Sequence, residues 1–353
     1  MHTAVHAAVA ELIAEQQAAG QHLGVQVAAR WRGRSVVEVA AGRLDHRGHR
    51  PVEPDSLFCC FSVTKALAAR CLWSLVVDGR LELSRPVSSY WRGFTGPATV
   101  AQLLSHQAGL HRAPVDLDAD VLADEAAGPA WIAAQEPAWE PGSASGYHTL
   151  TYGWLVRGLY EAVTGESLPR VLDHDVFLGL PGTETHRAAT IVEPSAARGL
   201  RWVDGDSHPA LQAMPPTFVP DWNDLRLRAA CQPAFSGWAS ARALAAHVDA
   251  IAPAEYELGR QLQVDGLDRV LELPVRRGLG VELGGRFEGG AVGALGPNER
   301  AFGHGGHGGQ VVVRDPEAGL TIAVLVNLLA EPELAAERTT TICELIRGLC
   351  DAF

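Results

Sequence analysis

The two ends of the chain carry the same pair of elements in opposite order. Near the start, a helical pattern that ends at about Gly20 precedes two β-branched runs, and near the end two such runs precede a helical pattern at 331–350. The four runs lie at 24–28, 36–39, 310–314 and 320–328. Such runs, joined by short turns that contain glycine, predict antiparallel hairpins. We therefore expect both ends to contribute to one antiparallel sheet with helices packed on it.

The long stretch between the two ends has a different character. It is rich in helical patterns, proline and tryptophan, and its clearest helix spans 150–163 and stops near Gly165. The whole pattern predicts an α+β fold, in which an antiparallel sheet is flanked by helices and carries an inserted, mostly helical lobe. We assign residues 1–80 and 240–353 to a discontinuous α/β lobe and residues 81–239 to the helical lobe.

Composition and charge narrow the classes of function. The chain has 353 residues, of which 47% are hydrophobic and 20% charged, as in a globular protein. With a net charge of −12 it cannot assemble the basic surface that nucleic-acid binding needs. Glu11 and Glu15 interrupt the first apolar stretch, and no run of about 18 apolar residues follows. We expect a cytoplasmic protein with reduced cysteines and no membrane or nucleic-acid partner.

Ser62 and Lys65 form an S-x-x-K sequence at the start of a predicted helix, 63–77. Residues three apart share a helix face, so the amine can reach the hydroxyl. A serine becomes nucleophilic when a base takes its proton, and lysine can do this only when it is neutral. Such a motif also occurs by chance on exposed helices, but the flanking segments 57–61 and 66–69 are apolar and predict burial. We interpret Ser62 as a nucleophile and Lys65 as its base.

The use of basic residues supports this interpretation. Lys65 is the only lysine among the 29 basic residues, and all the others are arginine. Arginine provides surface charge equally well, whereas only lysine can lose its proton when it is removed from water. The single lysine therefore stands where a proton-accepting amine would be useful.

Two further stretches are candidates for the same site. Tyr147 ends a loop that begins Pro141-Gly142, where it can either share the proton transfer or simply pack at the start of the next helix. The glycine-rich stretch 302–310 precedes a strand, and its backbone can approach a ligand closely. One of its N–H groups, together with that of Ser62, would form an oxyanion hole.

Histidine pairs raise the alternative of a metal site. His304 and His307 lie in the glycine-rich stretch, and His46 and His49 form a similar pair near the start. No cluster of carboxylates or cysteines stands near the first pair, as a metal site usually requires. We therefore predict no metal and no organic cofactor.

The S-x-x-K sequence, the Tyr147 loop and the glycine-rich stretch occur in the order found in class C β-lactamases, DD-peptidases and the serine esterases of family VIII. The chain resembles the esterase branch most. The resemblance covers the segments 58–79, 100–110, 147–165 and 302–327. It implies a β-lactamase/transpeptidase-like fold in which Ser62 is acylated, Lys65 is its base and Tyr147 is a second proton carrier. His106 matches a family position that we interpret as structural.

The resemblance also implies roles for the glycine-rich stretch. His304, Gly305 and Gly306 fall where lactamases have the substrate-binding Lys-Thr-Gly, and the N–H of His307 falls at the oxyanion position. Two positions depart from the lactamase pattern. His304 replaces the lysine that helps bind a β-lactam carboxylate, and Thr149 stands where the Tyr-x-Asn motif has asparagine. Both departures weaken the hypothesis of penicillin hydrolysis.

Four functions follow, in order of preference. The first is a carboxylesterase-like serine hydrolase that acts on a small-molecule ester or acyl substrate. The second is an acyltransferase of secondary metabolism that uses the same acyl-enzyme. A β-lactamase or D-amino-acid peptidase ranks third, and a non-catalytic binding module ranks last, because serine, lysine and tyrosine are all present. The oligomeric state does not follow from the sequence.

Overall fold

The structure is a computed structural model that describes residues 2–194, 208–287 and 290–352. Its helices are α1 (His2–Ala18), α2 (Val63–Val77), α3 (Val100–Leu104), α4 (Ala119–Ala123), α5 (Ala127–Ala133), α6 (Thr151–Thr164), α7 (Ala210–Ala213), α8 (Leu225–Ala229), α9 (Ala241–Asp249), α10 (Pro253–Gly259) and α11 (Pro332–Asp351). Its strands are β1 (Gly24–Trp31), β2 (Arg34–Gly42), β3 (Phe58–Cys59), β4 (Val171–Asp173), β5 (Val176–Leu178), β6 (Gly237–Ala239), β7 (Val264–Leu267), β8 (Pro274–Arg277), β9 (Glu282–Leu283), β10 (Phe302–Gly306), β11 (Gln310–Asp315) and β12 (Leu320–Val326).

The two ends of the chain meet in one large sheet. Eight strands lie in the order β2-β1-β12-β11-β10-β9-β8-β7. β1 and β12 pair antiparallel, with Val27 opposite Val324. The two predicted hairpins, the helix at each end and the α+β fold with its antiparallel sheet are confirmed.

Each face of this sheet packs against helices. Along β11, Val311 and Val313 face a core that α1 and α11 share, where Val9 and Ile346 are buried. Val312, between them, faces the opposite core, which contains α2 and α9. Alternate residues of a strand point to opposite faces, so helices on both sides explain why β12 is buried throughout. No helix in the described ranges combines the length and apolar character that a membrane crossing needs.

A second sheet, which the sequence pattern did not predict, combines β3 with three strands from the segment 171–239. Its four strands lie in the order β3-β6-β5-β4, and β3 is contributed by the segment just before α2. Helix α6 confirms the helix predicted at 150–163, and it ends at Gly165, whose φ of 74° is left-handed. A glycine adopts this conformation without the steric cost that a Cβ would bring.

The junction between β3 and α2 determines where the S-x-x-K motif lies. Phe61, just before Ser62, has a φ of 44°, which is rare for a residue with a side chain. Thr64 holds this bend, because its hydroxyl donates to the Phe61 carbonyl at 2.5 Å and accepts the N–H of Gly237 at 2.8 Å. A Cβ on Gly237 would lie 2.6 Å from Thr64 Oγ1, so β6 can come this close only with glycine there.

We expect Thr64→Val to destabilise the fold, because valine has a similar shape but leaves the buried N–H of Gly237 without a partner. It also removes one of the two hydrogen bonds to the Phe61 carbonyl, which still accepts the backbone N–H of residue 64. The free energy of unfolding should fall by about 1–3 kcal/mol. Urea denaturation measures it, with Thr341→Val on the exposed side of α11 as the matched control. Equal stability of the two variants would contradict this role for Thr64.

Candidate active site

Ser62 and Lys65 lie together at the N-terminal end of α2. Ser62 is the residue that precedes the first turn, and Lys65 lies one turn further along. Lys65 Nζ lies 3.2 Å from Ser62 Oγ and donates to the carbonyl of Ala234 at 2.8 Å. The lysine side chain has no exposed surface. This geometry allows direct proton transfer between the two side chains.

Burial controls the charge of the lysine. Removal from water lowers the pKa of Lys65 from 10.5 to about 7, an effect that the Glu282 carboxylate opposes and the Arg277 guanidinium reinforces. Desolvation disfavours the charged form of an amine, which explains the direction. A large fraction of the molecules therefore carry a neutral Lys65 near neutral pH.

Tyr147 completes the group around Ser62. Its ring lies 4.8 Å from Lys65 Nζ, measured to the ring centroid, and the residue is 9% exposed. Burial raises the pKa of Tyr147, and a contact with the Ser62 hydroxyl opposes this effect. The phenol thus keeps its proton near neutral pH, and when it protonates another group it must be reprotonated by a neighbouring acid, here the protonated Lys65.

The loop that carries Tyr147 is fixed by two histidines. The His106 carbonyl accepts the N–H of Gly146 at 3.0 Å, and His106 Nδ1 accepts the N–H of His148 at 3.0 Å. His148 Nε2 in turn accepts the N–H of Leu110 at 2.9 Å. Burial lowers the pKa of both rings, that of His148 to about 3, so both are neutral and able to accept.

The glycine-rich strand β10 forms the opposite wall. The His304 ring is buried, lies 6.2 Å from the Tyr147 ring between centroids, and bonds the Gly305 carbonyl through Nδ1 at 2.6 Å. Burial lowers the pKa of His304, although the Glu282 carboxylate opposes this effect. Glu282 also accepts the N–H of Gly305 at 3.1 Å, which ties β9 to β10.

The end of β10 comes close to the segment before Ser62. A Cβ on Gly306 would lie 2.7 Å from the carbonyl oxygen of Cys60, so only glycine fits. His307 follows in the turn, with its ring edge-on to Phe61 at 5.4 Å and its Nε2 3.4 Å from a Glu193 oxygen. These contacts hold the turn beside the start of α2.

Two backbone N–H groups remain available at this junction. Among the described residues, neither the N–H of Ser62 nor that of His307 has a hydrogen-bond partner. Both residues line the same cavity, and Ser62 lies at the positive end of the α2 dipole. Free N–H groups at such a place can stabilise a negatively charged oxygen.

The cavity beside these groups has a volume of about 550 Å³. Most of the side chains that form it are apolar, including Leu150, Met214, Phe218, Trp222, Phe235 and Leu271. The Trp222 ring lies edge-on against Phe61 and Phe235, with centroids 5.3 Å away in each case. Glu193 and Glu282 supply negative charge. The cavity therefore suits a largely apolar organic molecule.

The structure brings the sequence-predicted site residues together. Ser62, Tyr147 and the stretch 304–307 line one cavity, and Lys65 lies directly behind Ser62. His46 and His49 are exposed on a separate loop and are not among the residues that line it.

Sequence reasoning missed three charged residues beside the site. Glu282 bonds the N–H of Gly305, and Asp268 and Arg277 form a buried ion pair next to Tyr147. None of them lies in a motif, and each acts through partners that are distant in sequence. In the structure, Asp268 lies in the turn that follows β7, and Arg277 is the last residue of β8.

Comparison with known proteins agrees with this geometry. A protein-family model described as Beta-lactamase matches residues 9–345. The esterase/beta-lactamase LipL of Mycobacterium tuberculosis is 34% identical over 337 residues, which cover 85% of this chain and 76% of LipL.

Two solved structures are similar over nearly the whole chain. A penicillin-binding protein homolog from Caulobacter crescentus has a TM-score of 0.87 at 31% identity. The match covers 98% of this chain and 97% of the homolog. A family VIII carboxylesterase has a TM-score of 0.84 at 27% identity, with coverage of 98% and 97%. The chain belongs to the β-lactamase family and is an enzyme of the serine β-lactamase-like hydrolase superfamily, near its esterase branch.

Proposed function

We propose that this enzyme is a carboxylesterase that forms an acyl-enzyme on Ser62. The observation that carries the proposal is the distance of 3.2 Å between Ser62 Oγ and Lys65 Nζ, on a side chain that has no exposed surface. A neutral amine at hydrogen-bond distance is the base that a serine nucleophile needs. The apolar cavity beside it supports an organic ester as the substrate.

Acylation begins when Ser62 Oγ attacks the ester carbonyl carbon and its proton passes to Lys65 Nζ. The carbonyl oxygen becomes negatively charged and accepts the N–H groups of Ser62 and His307. The bond between the carbonyl carbon and the alcohol oxygen then breaks. Tyr147 gives its proton to the leaving oxygen and is reprotonated by Lys65, so that the proton from the serine ends on the alcohol.

Deacylation reverses these roles. Water attacks the acyl carbon and loses a proton to the Tyr147–Lys65 pair, which returns it to Ser62 Oγ as the acid departs. Every proton is carried by the chain's own side chains, and no metal or organic cofactor takes part.

The site supports an ester over a β-lactam as the substrate. Burial lowers the pKa of His304 and favours its neutral form, so it offers no cation at the position where lactamases have lysine. Thr149 lines the cavity where the asparagine of Tyr-x-Asn would stand. The carboxylates of Glu193 and Glu282 further disfavour a substrate that carries its own carboxylate, and Arg276, a cation that also lines the cavity, is paired with Asp265 and Glu299.

Acyl transfer to an alcohol or amine is the second candidate. It uses the same acyl-enzyme, and the largely apolar walls of the cavity would favour an organic acceptor over water. The two functions differ only in what attacks the acyl carbon, so an acceptor must be supplied to tell them apart.

Incubation with p-nitrophenyl butyrate should give a butyryl adduct on Ser62 and steady release of p-nitrophenol. Intact-mass spectrometry and absorbance measure the two products, and Ser62→Ala should show neither beyond the background of a protein-free blank. Lys65→Arg should form the adduct at least about 100-fold more slowly, because guanidinium cannot accept the proton.

Three outcomes distinguish the candidate functions. Equal p-nitrophenol release from wild type and Ser62→Ala would contradict the proposed nucleophile. An adduct that persists in water and disappears on addition of an alcohol or amine would support the acyltransferase. An adduct on wild type alone with steady turnover in water supports the esterase.

The pH dependence of kcat/KM should follow the titration of Lys65. Only the neutral amine accepts a proton, so kcat/KM should be low in acid, rise with pH and level off above a midpoint of about 7. The Glu282 carboxylate raises the pKa of Lys65. Glu282→Gln should therefore move the midpoint to lower pH while the amide oxygen still accepts the N–H of Gly305.

Glu299→Gln is the matched control, because this exposed carboxylate pairs with Arg276 and is not among the residues that line the cavity. Its midpoint should equal that of wild type. A midpoint that stays unchanged in Glu282→Gln, or that moves to higher pH, would contradict the electrostatic coupling of Glu282 to Lys65.

A further inference from the structure

A buried ion pair lies behind the Tyr147 ring. Asp268 follows β7 and Arg277 ends β8, and the two side chains are hydrogen bonded through Arg277 Nη1 and Asp268 Oδ2. Asp268 has no exposed surface and Arg277 is 2% exposed. Burying two charges costs desolvation energy that their attraction barely offsets, so stability alone is a poor reason for such a pair. The other contacts of the pair indicate a different role.

Asp268 fixes the backbone of the tyrosine. Its Oδ1 accepts the N–H of Tyr147 at 3.2 Å, that of Val270 at 2.8 Å and that of Leu271 at 2.7 Å. One carboxylate oxygen thus joins the Tyr147 loop to the turn between β7 and β8. Tyr147 precedes Asp268 by 121 residues, so this bond connects two distant parts of the chain.

Arg277 holds the same loop through contacts with its side chains. It donates to Ser145 Oγ at 2.9 Å, and its guanidinium carbon lies 5.4 Å from the Tyr147 ring centroid. The Ser145 backbone is held as well, because its carbonyl accepts the N–H of Arg269 at 2.9 Å. The ring of Tyr147 is therefore close to two basic groups, Arg277 at the end of β8 and Lys65 beside Ser62.

We infer that the Asp268–Arg277 pair is a positioning element that holds the Tyr147 hydroxyl where it can protonate the departing alcohol. The inference rests on the proposed esterase function and goes beyond it. Neither charged residue touches the reacting atoms. The pair acts through the tyrosine, by fixing its backbone and by constraining the angle of its ring.

This role has a specific kinetic consequence. An aliphatic alkoxide is a poor leaving group and needs a proton as the ester bond breaks, whereas p-nitrophenolate leaves readily without one. A displaced Tyr147 should therefore slow the acylation step with an ethyl ester far more than with a p-nitrophenyl ester of the same acid. A merely structural defect reduces both rates equally, because it lowers the amount of active enzyme.

The experiment compares kcat/KM for ethyl butyrate and p-nitrophenyl butyrate in wild type, Asp268→Asn, Arg277→Lys and Tyr147→Phe. We expect the ratio of the ethyl to the p-nitrophenyl value to fall by about 100-fold in Tyr147→Phe. The ratio should also fall in Asp268→Asn and in Arg277→Lys. The ratio does not depend on the fraction of folded protein, so variants that fold poorly remain informative. Asp175→Asn and Arg187→Lys, from another aspartate–arginine pair whose aspartate is buried and whose arginine is partly buried, are the matched controls.

A second arm tests whether the pair acts through the tyrosine. Arg277→Lys, added to Tyr147→Phe, should change the ratio by less than about 2-fold, because the group it positions is already gone.

A wild-type ratio in Asp268→Asn and Arg277→Lys would overturn the inference. It would also be overturned if Arg277→Lys changed the ratio as much in Tyr147→Phe as it does in wild type. Wild type that hydrolyses neither ester would contradict the proposed function and the inference together. Wild type that hydrolyses both, with unchanged ratios in the variants, would contradict the inference alone.

Discussion

The removal of the Lys65 amine from water is the constraint on which the rest of the site depends. Its Nζ contacts the Ser62 hydroxyl and the Ala234 carbonyl, and the side chain has no exposed surface. Burial of an ammonium is costly, so the folded protein favours the neutral amine. That preference makes the lysine a base near neutral pH, and arginine could not replace it.

Three separate parts of the fold must meet for this amine to be useful. The bend at Phe61 places Ser62 at the start of α2, and Thr64 holds the bend against β6. The loop before α6 brings Tyr147, and the β10–β11 hairpin brings His307 in its turn. β10 belongs to the large sheet, which joins strands from both ends of the chain, and it contacts α2. Chemistry at this site is therefore a property of the whole fold.

The sequence predicted those features that local patterns encode. Hairpins, terminal helices and α2 follow from periodicity and glycine stops, and the segments of Ser62, Tyr147 and His304 follow from motifs. The second sheet was missed because β3 has two residues and β6 three, too few for an alternating pattern. The Asp268–Arg277 pair was missed because a single aspartate and a single arginine look like surface charges until the fold encloses them. The missed features depend on pairing between distant segments and on the burial of charged side chains, neither of which a local sequence pattern encodes.

The most direct test of the account is the titration of Lys65 itself. It is the only lysine in the chain, so lysine labelled with ¹³C at Cε gives a single side-chain resonance whose chemical shift can be followed with pH by NMR. The account predicts a titration midpoint of about 7 in the folded protein. A midpoint near the ordinary lysine value of about 10.4 would show a charged amine beside Ser62 and contradict the assignment of Lys65 as its base.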